Sequence, residues 1–93
     1  MVTSIILMNV ERTSINEVAS QLVELEGISE VYSVSGKYDL VAVARVRSND
    51  DLSALVTGKL RHVKDIIATE TMLAFQAYSK HDLESMFSLG LDG

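Results

Sequence analysis

The chain contains no cysteine and no proline. Without cysteine there is neither a disulfide framework nor a thiolate metal site. Without proline nothing locks the backbone against short regular elements and tight turns. Positive charge is the scarcer sign: 8 Lys and Arg stand against 13 Asp and Glu, a formal net charge of −5. An acidic domain repels phosphate backbones, which argues against direct DNA binding. Long apolar runs are missing as well. The run Ile5 to Met8 is far too short to span a bilayer. No basic residue precedes it and no small-residue cleavage pattern follows, so it does not read as a signal peptide. A soluble cytoplasmic protein with no membrane partner is expected.

What is present suits a folded domain. The chain has 93 residues, 47% apolar and 23% charged, the balance of an ordinary globular fold. That length fits one domain. A chain this short buries roughly 60–65% of the surface its unfolded form exposes, a modest core that oligomerisation would enlarge.

Thr3 to Val10 reads as a strand, because its apolar residues are consecutive and the run is short. Ser14-Ile15-Asn16-Glu17 has the S-x-x-E pattern of a capping box, which predicts a helix from Ser14. Ile15, Val18, Ala19, Leu22 and Leu25 continue at helical spacing. Gly27 supplies a left-handed residue to end that helix. Ile28 to Ser35 is a second strand, Gly36-Lys37-Tyr38 a tight turn, and Asp39 to Val46 a third strand. Ser48-Asn49-Asp50-Asp51 starts a second helix with a cap and first-turn acids. Its apolar face is Leu52, Leu55, Val56, Leu60 and Val63, and Arg61, His62 and Lys64 sit near its end, where cations suit the dipole. Ile66 to Tyr78 is the last strand. Residues 1–80 form the domain; 81–93 are a tail with a short helix built on Leu83, Met86, Phe87 and Leu91.

The order β-α-β-β-α-β with right-handed crossovers predicts an α+β, ferredoxin-like fold: a four-stranded antiparallel sheet with two helices on one face. The uncovered face of such a sheet should then be polar. It is not. Ile5 and Leu7 lie opposite Ile6 and Met8. Val41 and Val43 lie opposite Leu40, Ala42 and Ala44. In the last strand Met72 and Ala74 lie opposite Leu73 and Phe75. About half a dozen apolar side chains on the open face are worth roughly 10 kcal/mol gross on burial. That is comparable to the ~4–15 kcal/mol cost of association. Two copies packing sheet to sheet are therefore expected; the lesser alternative is that the C-terminal tail folds over the face, and the tail's Met86 and Phe87 would otherwise clasp a neighbouring subunit.

Few residues carry obvious chemistry. Gly36-Lys37-Tyr38-Asp39 could expose backbone N–H groups to a carboxylate, with Asp39 accepting from an ammonium group. Turn chemistry alone favours a hairpin whose aspartate bonds its own backbone. Thr69 and Thr71 are two apart on a strand, so they share a face, roughly 7 Å from each other. Their hydroxyls suit a zwitterion, although threonine is also simply a good strand residue. Glu70 points the other way. His62 and His81 have no second ligand at metal spacing, so no metal site is expected, and no nucleophile, base and orienter stand at recognisable spacing. Tyr78 to His81 and the Leu83–Phe87 stripe read as packing, and no cofactor is expected.

Val31 to Val43, VYSVSGKYDLVAV, resembles the effector-binding half of the Lrp/AsnC regulators, the RAM domain. Its pattern is V-x-G-x-Y-D between two apolar strands. Ala68 to Phe75, ATETMLAF, resembles that family's T-x-T last strand. The resemblance covers about residues 2 to 80 and implies the fold derived above. It implies dimers joined through their sheets and assembled into octamers or decamers. It implies an amino acid effector bound between dimers, with Gly36, Tyr38 and Asp39 on one side of the cleft and Thr69 and Thr71 opposite, from another subunit. It thereby outweighs the plain hairpin reading of the turn. The family's regulators also carry an N-terminal helix-turn-helix domain, whereas the resemblance here starts at Met1, so the chain is similar to stand-alone RAM proteins. DNA binding does not carry over; a mixed assembly with a full-length Lrp/AsnC regulator would still reach transcription. Two other readings stand beside this one. One is a small cofactor-free monooxygenase or isomerase on the same fold, which would want a pocket between sheet and helices with a His or Asn pair. The other is a structural oligomer with no ligand.

Overall fold

The structure is a computed structural model that describes residues 1–80. Its elements are β1 (Val2–Val10), a 3-10 turn (Arg12–Ser14), α1 (Ile15–Val23), β2 (Ile28–Ser33), β3 (Leu40–Val46), α2 (Asn49–Ser53) and β4 (Ile66–Leu73). Beyond α2 the chain winds on through a wider π-helical stretch (Ala54–Lys59) and a 3-10 turn (Leu60–His62). The four strands form one sheet in the order β2-β3-β1-β4, with every neighbouring pair antiparallel. This is the ferredoxin-like arrangement the element order predicts.

Register explains the two faces. On the helix side, Val31, Ala42, Ile6 and Thr71 lie in one row across the sheet, and Ser33, Leu40, Met8 and Thr69 in the next. On the open side the corresponding rows are Glu30, Val43, Ile5 and Met72, then Tyr32, Val41, Leu7 and Glu70. The helix side is the core: Ile6, Met8, Val10, Leu40, Ala42 and Ala44 are buried beneath Val18 and Leu22 of α1 and Leu55 and Leu60 of the second helical segment. Among the described residues one polar side chain is fully buried, Ser4, and its hydroxyl donates to the Met72 carbonyl at 2.8 Å. That bond removes the cost of desolvating a free hydroxyl. On the open side Ile5, Leu7, Val41 and Val43 are half-buried, and Met72 and Tyr32 are exposed.

Several boundaries differ from the sequence expectation, each for a physical reason. The Ser14–Glu17 capping box does not form, and α1 has no side-chain cap. Ser14 instead donates its hydroxyl to the Asp65 carboxylate at 2.7 Å, while the Glu11 N–H donates to the Asp65 carbonyl at 2.9 Å. Asp65 holds φ +74 to do this, a left-handed geometry that aspartate tolerates better than most residues. A tertiary partner has displaced the local one. The cap on α2 does form: Ser48 Oγ accepts from the Asp51 N–H at 3.1 Å. Regular α geometry then lasts only to Ser53, because the Thr57 hydroxyl donates to the Ser53 carbonyl at 2.6 Å and competes with the amide ladder. β2 stops at Ser33 rather than Ser35, β3 starts at Leu40 rather than Asp39, and β4 ends at Leu73 rather than Tyr78. After the Ala74 N–H donates to Thr3 at 2.9 Å, β1 offers no further partner, and Phe75 is left 99% exposed. The expected tail helix at Leu83, Met86, Phe87 and Leu91 lies outside the described residues.

Gly27 does adopt positive φ, +101, but α1 has already ended at Val23, so the glycine shapes the entry to β2. A Cβ there would stand 3.0 Å from Val46 Cγ1 and 3.4 Å from Leu55 Cδ2. At Gly36, φ +108, a Cβ would meet nothing within 4 Å. Gly36→Ala should therefore cost only backbone strain, about 1–2 kcal/mol. Gly27→Ala adds a clash with the core and should cost more. Urea denaturation of both variants measures the order; equal losses would show that the Val46 contact relaxes freely.

Candidate functional site

The segment between β2 and β3 is wider than a tight turn. Its closing bond runs from the Val34 N–H to the Asp39 carbonyl, 3.0 Å. Gly36 provides the left-handed residue, and the loop is then tied to the end of β1. The Asn9 side-chain amide donates to the Lys37 carbonyl (2.8 Å), the Asp39 N–H donates to the Met8 carbonyl (2.9 Å), and the Val10 N–H donates to the Asp39 carboxylate (2.8 Å). Asp39 does not bond its own backbone, as turn chemistry alone suggested. It completes the edge of a neighbouring strand, and that bond occupies one carboxylate oxygen, Oδ2.

Tyr38 carries the loop onto the open face. Its hydroxyl donates to the Glu70 carboxylate, which holds the phenol pKa above the ordinary tyrosine value. The Lys37 ammonium sits over the Tyr38 ring, 6.0 Å from its centroid. At the far edge of the same face Tyr32 donates to Glu30 at 2.5 Å, and Arg45 stands 3.5 Å from Glu30. Glu30 is therefore held below the ordinary carboxylate value, first by the Tyr32 hydrogen bond, with Arg45 adding. Apolar residues thus occupy the centre of the open face, and a tyrosine–glutamate pair stands at each edge. The Glu70 pairing was not legible beforehand, since nothing in the sequence joins positions 32 residues apart.

Thr69 and Thr71 share a face, but it is the helix side, in rows with Met8 and Ile6. No hydrogen bond engages either hydroxyl among the described residues. Within one chain they stand on the opposite face of the sheet from the Tyr38–Glu70 contact. Sequence reasoning missed a groove of about 330 Å³ between β4 and the end of the second helical segment, whose lining includes Thr69, Arg61, Thr57, Val56, Leu60 and Val63. The alternation of faces could have signalled it, because an edge strand bearing threonines beside a helix cannot fill the space a larger residue would. No group of three or more His, Cys, Asp or Glu residues that could hold a metal ion occurs among the described residues.

The fold is an α+β, ferredoxin-like domain, and comparison with known proteins gives the family. Residues 3–83 match the Lrp/AsnC ligand binding domain, and the chain belongs to that family. It is 31% identical over 75 residues to the HTH-type transcriptional regulator FL11 of Pyrococcus abyssi, covering 81% of this chain and 49% of FL11. The chain spans between 39% and 52% of the length of the curated relatives it matches. Among solved structures it resembles TTHA0845 from Thermus thermophilus, with a TM-score of 0.80 and 35% identity, covering 86% of this chain and 100% of that one. The fold is also that of the feast or famine regulatory protein Rv3291c from M. tuberculosis, solved with L-methionine, at a TM-score of 0.72 and 20% identity, over 86% of this chain and 54% of that one.

The Tyr38–Glu70 pair makes a direct prediction. A raised phenol pKa in the folded state means the pair contributes stability below the ordinary tyrosine value and loses it as pH rises through the raised one. Glu70→Gln keeps an acceptor but removes the charge. One tyrosine should then ionise at lower pH in a tyrosinate absorbance titration, with Tyr32 unaffected. An unchanged titration would show that Glu70 does not hold that proton in solution.

Proposed function

We propose that the chain is a non-enzymatic, amino-acid-binding module that acts as an assembly. The observation that carries this reading is the split of the candidate site: the Gly36–Asp39 loop leans onto the open face through Tyr38, while Thr69 and Thr71 face the other way. Closing all five residues around one ligand takes more than one chain. The open face supplies the means. Ile5, Leu7, Val41, Val43 and Met72 form an apolar strip with polar edges, suited to a second copy packed sheet to sheet. Dimers then join as octamers or decamers, and the cleft between them holds the effector. Gly36 presents backbone N–H groups to the carboxylate, the second oxygen of Asp39 meets the ammonium group, and the threonine hydroxyls reach across from a neighbour. The L-methionine bound by the mycobacterial regulator supports an amino acid as the class of ligand. The module works in the cytoplasm and influences transcription by joining a full-length Lrp/AsnC regulator, its net charge of −5 leaving DNA contact to that partner. No helix among the described residues is long and apolar enough to cross a membrane.

Two measurements test this. Light scattering should give a mass several times the chain's 10.2 kDa, and Leu7→Lys, which puts a charge in the centre of the strip, should reduce it to that of one chain. In a thermal-shift screen against the twenty amino acids, at least one should raise the midpoint. Asp39→Asn should abolish that rise, since the amide oxygen still accepts from the Val10 N–H but its charge for an ammonium group is gone. A monomeric wild type, or a screen with no response, sinks the reading.

A further inference from the structure

The groove beside β4 has a chemistry of its own. Val56, Leu60 and Val63 give it an apolar wall, Thr57 and Thr69 bring hydroxyls, and Arg61 is the cation among its lining residues, none of which is acidic. Its volume of about 330 Å³ is within the range of small-molecule sites. The hydroxyls are not equivalent. Thr57 spends its proton on the Ser53 carbonyl, whereas Thr69 has no partner among the described residues. Nor has the Arg61 guanidinium an ion-pair partner among them, since Glu30 with Arg45 makes the described ion pair. A cation at the end of a helical segment is accounted for by the helix dipole. Arg61 and Thr69 are both exposed, so a ligand seated in the groove replaces water on both groups rather than an existing protein contact.

The geometry points to this groove as the site for a small monocarboxylate with an uncharged aliphatic body, recognised without its amino group. Arg61 meets the carboxylate, and its planar fork suits two parallel hydrogen bonds to it. Thr69 donates a further hydrogen bond, and the aliphatic body lies on Val56, Leu60 and Val63, where burial supplies most of the affinity. An ammonium group finds no carboxylate in the lining and would stand near the Arg61 cation, so a 2-oxo acid fits better than the amino acid of the same skeleton. The inference shares Thr69 with the effector reading above but goes beyond it, to a different ligand class in a groove of one chain.

The test is a thermal-shift and calorimetric comparison on the full chain, using leucine, 4-methyl-2-oxopentanoate and 3-methylbutan-1-amine, which lacks the carboxylate. The oxo acid should raise the midpoint of the wild type and of Asp39→Asn alike, by roughly 10–20 °C at about 100 times Kd; the amine should not, and any rise with leucine should depend on Asp39. Arg61→Gln should weaken the oxo acid about ten- to hundredfold, and Arg61→Lys should recover part of the loss. If leucine binds but the oxo acid does not, or if Arg61→Gln binds as the wild type does, this inference falls and the amino-acid reading stands. If the oxo acid binds in an Arg61-dependent way and no amino acid does, the inference stands and the amino-acid reading falls. Silence from every carboxylate overturns both.

Discussion

β1 is the strand on which the rest of the molecule depends. It is hydrogen-bonded on both sides, by β3 and β4, and it is apolar on both faces. Its even-numbered residues, Ile6, Met8 and Val10, enter the core; its odd-numbered residues, Ile5 and Leu7, pave the open side. A slip of one residue would exchange the two sets, so burial of one face pins the register of both neighbours. That register sets Thr69 and Thr71 on the helix side and Glu70 and Met72 on the other. It also leaves Asn9 and the Val10 N–H at the strand's end, where the Gly36–Asp39 loop docks.

Two aspartates close the ends of this framework by similar means. Asp39 accepts from the Val10 N–H across 29 positions of sequence, and Asp65 binds Ser14 across 51. In each case a polar group left over where regular structure stops finds its partner in a distant segment, as a nearly complete pairing of buried backbone groups requires. The same logic explains the failed capping box. Ser14 and Glu17 have the local pattern, but the Asp65 carboxylate offers Ser14 a charged acceptor, and charge-assisted bonds are the stronger ones. Asp39 therefore has both a structural and a candidate binding role, one for each carboxylate oxygen.

The open face and the groove differ in character. The face has an apolar centre and tyrosine–glutamate pairs at its edges. The groove lies on the opposite side of β4 and combines free donors with an apolar wall. Tyr38 connects the two regions in sequence terms, since it belongs to the candidate binding loop and yet binds Glu70, the neighbour of Thr69.

By itself the sequence determined the order of elements, the two-sided apolar strands, the shared face of Thr69 and Thr71, the Ser48 cap and the family. The first three follow from local periodicity, since alternation of two along a strand and 3.6 along a helix decides which residues lie together whatever the partner; the cap follows from residue type at a helix start, and the family from the resemblance of the G-x-Y-D and T-x-T segments. Tertiary structure alone decided the rest. It selected Asp65 over Glu17 for Ser14, Val10 over Asp39's own backbone, and Glu70 for Tyr38. It ended β4 at Leu73, where β1 ran out of partners, and it opened the groove beside Thr69. Each of these depends on which sequence-distant segment arrives within hydrogen-bonding or packing distance, and no local pattern carries that information.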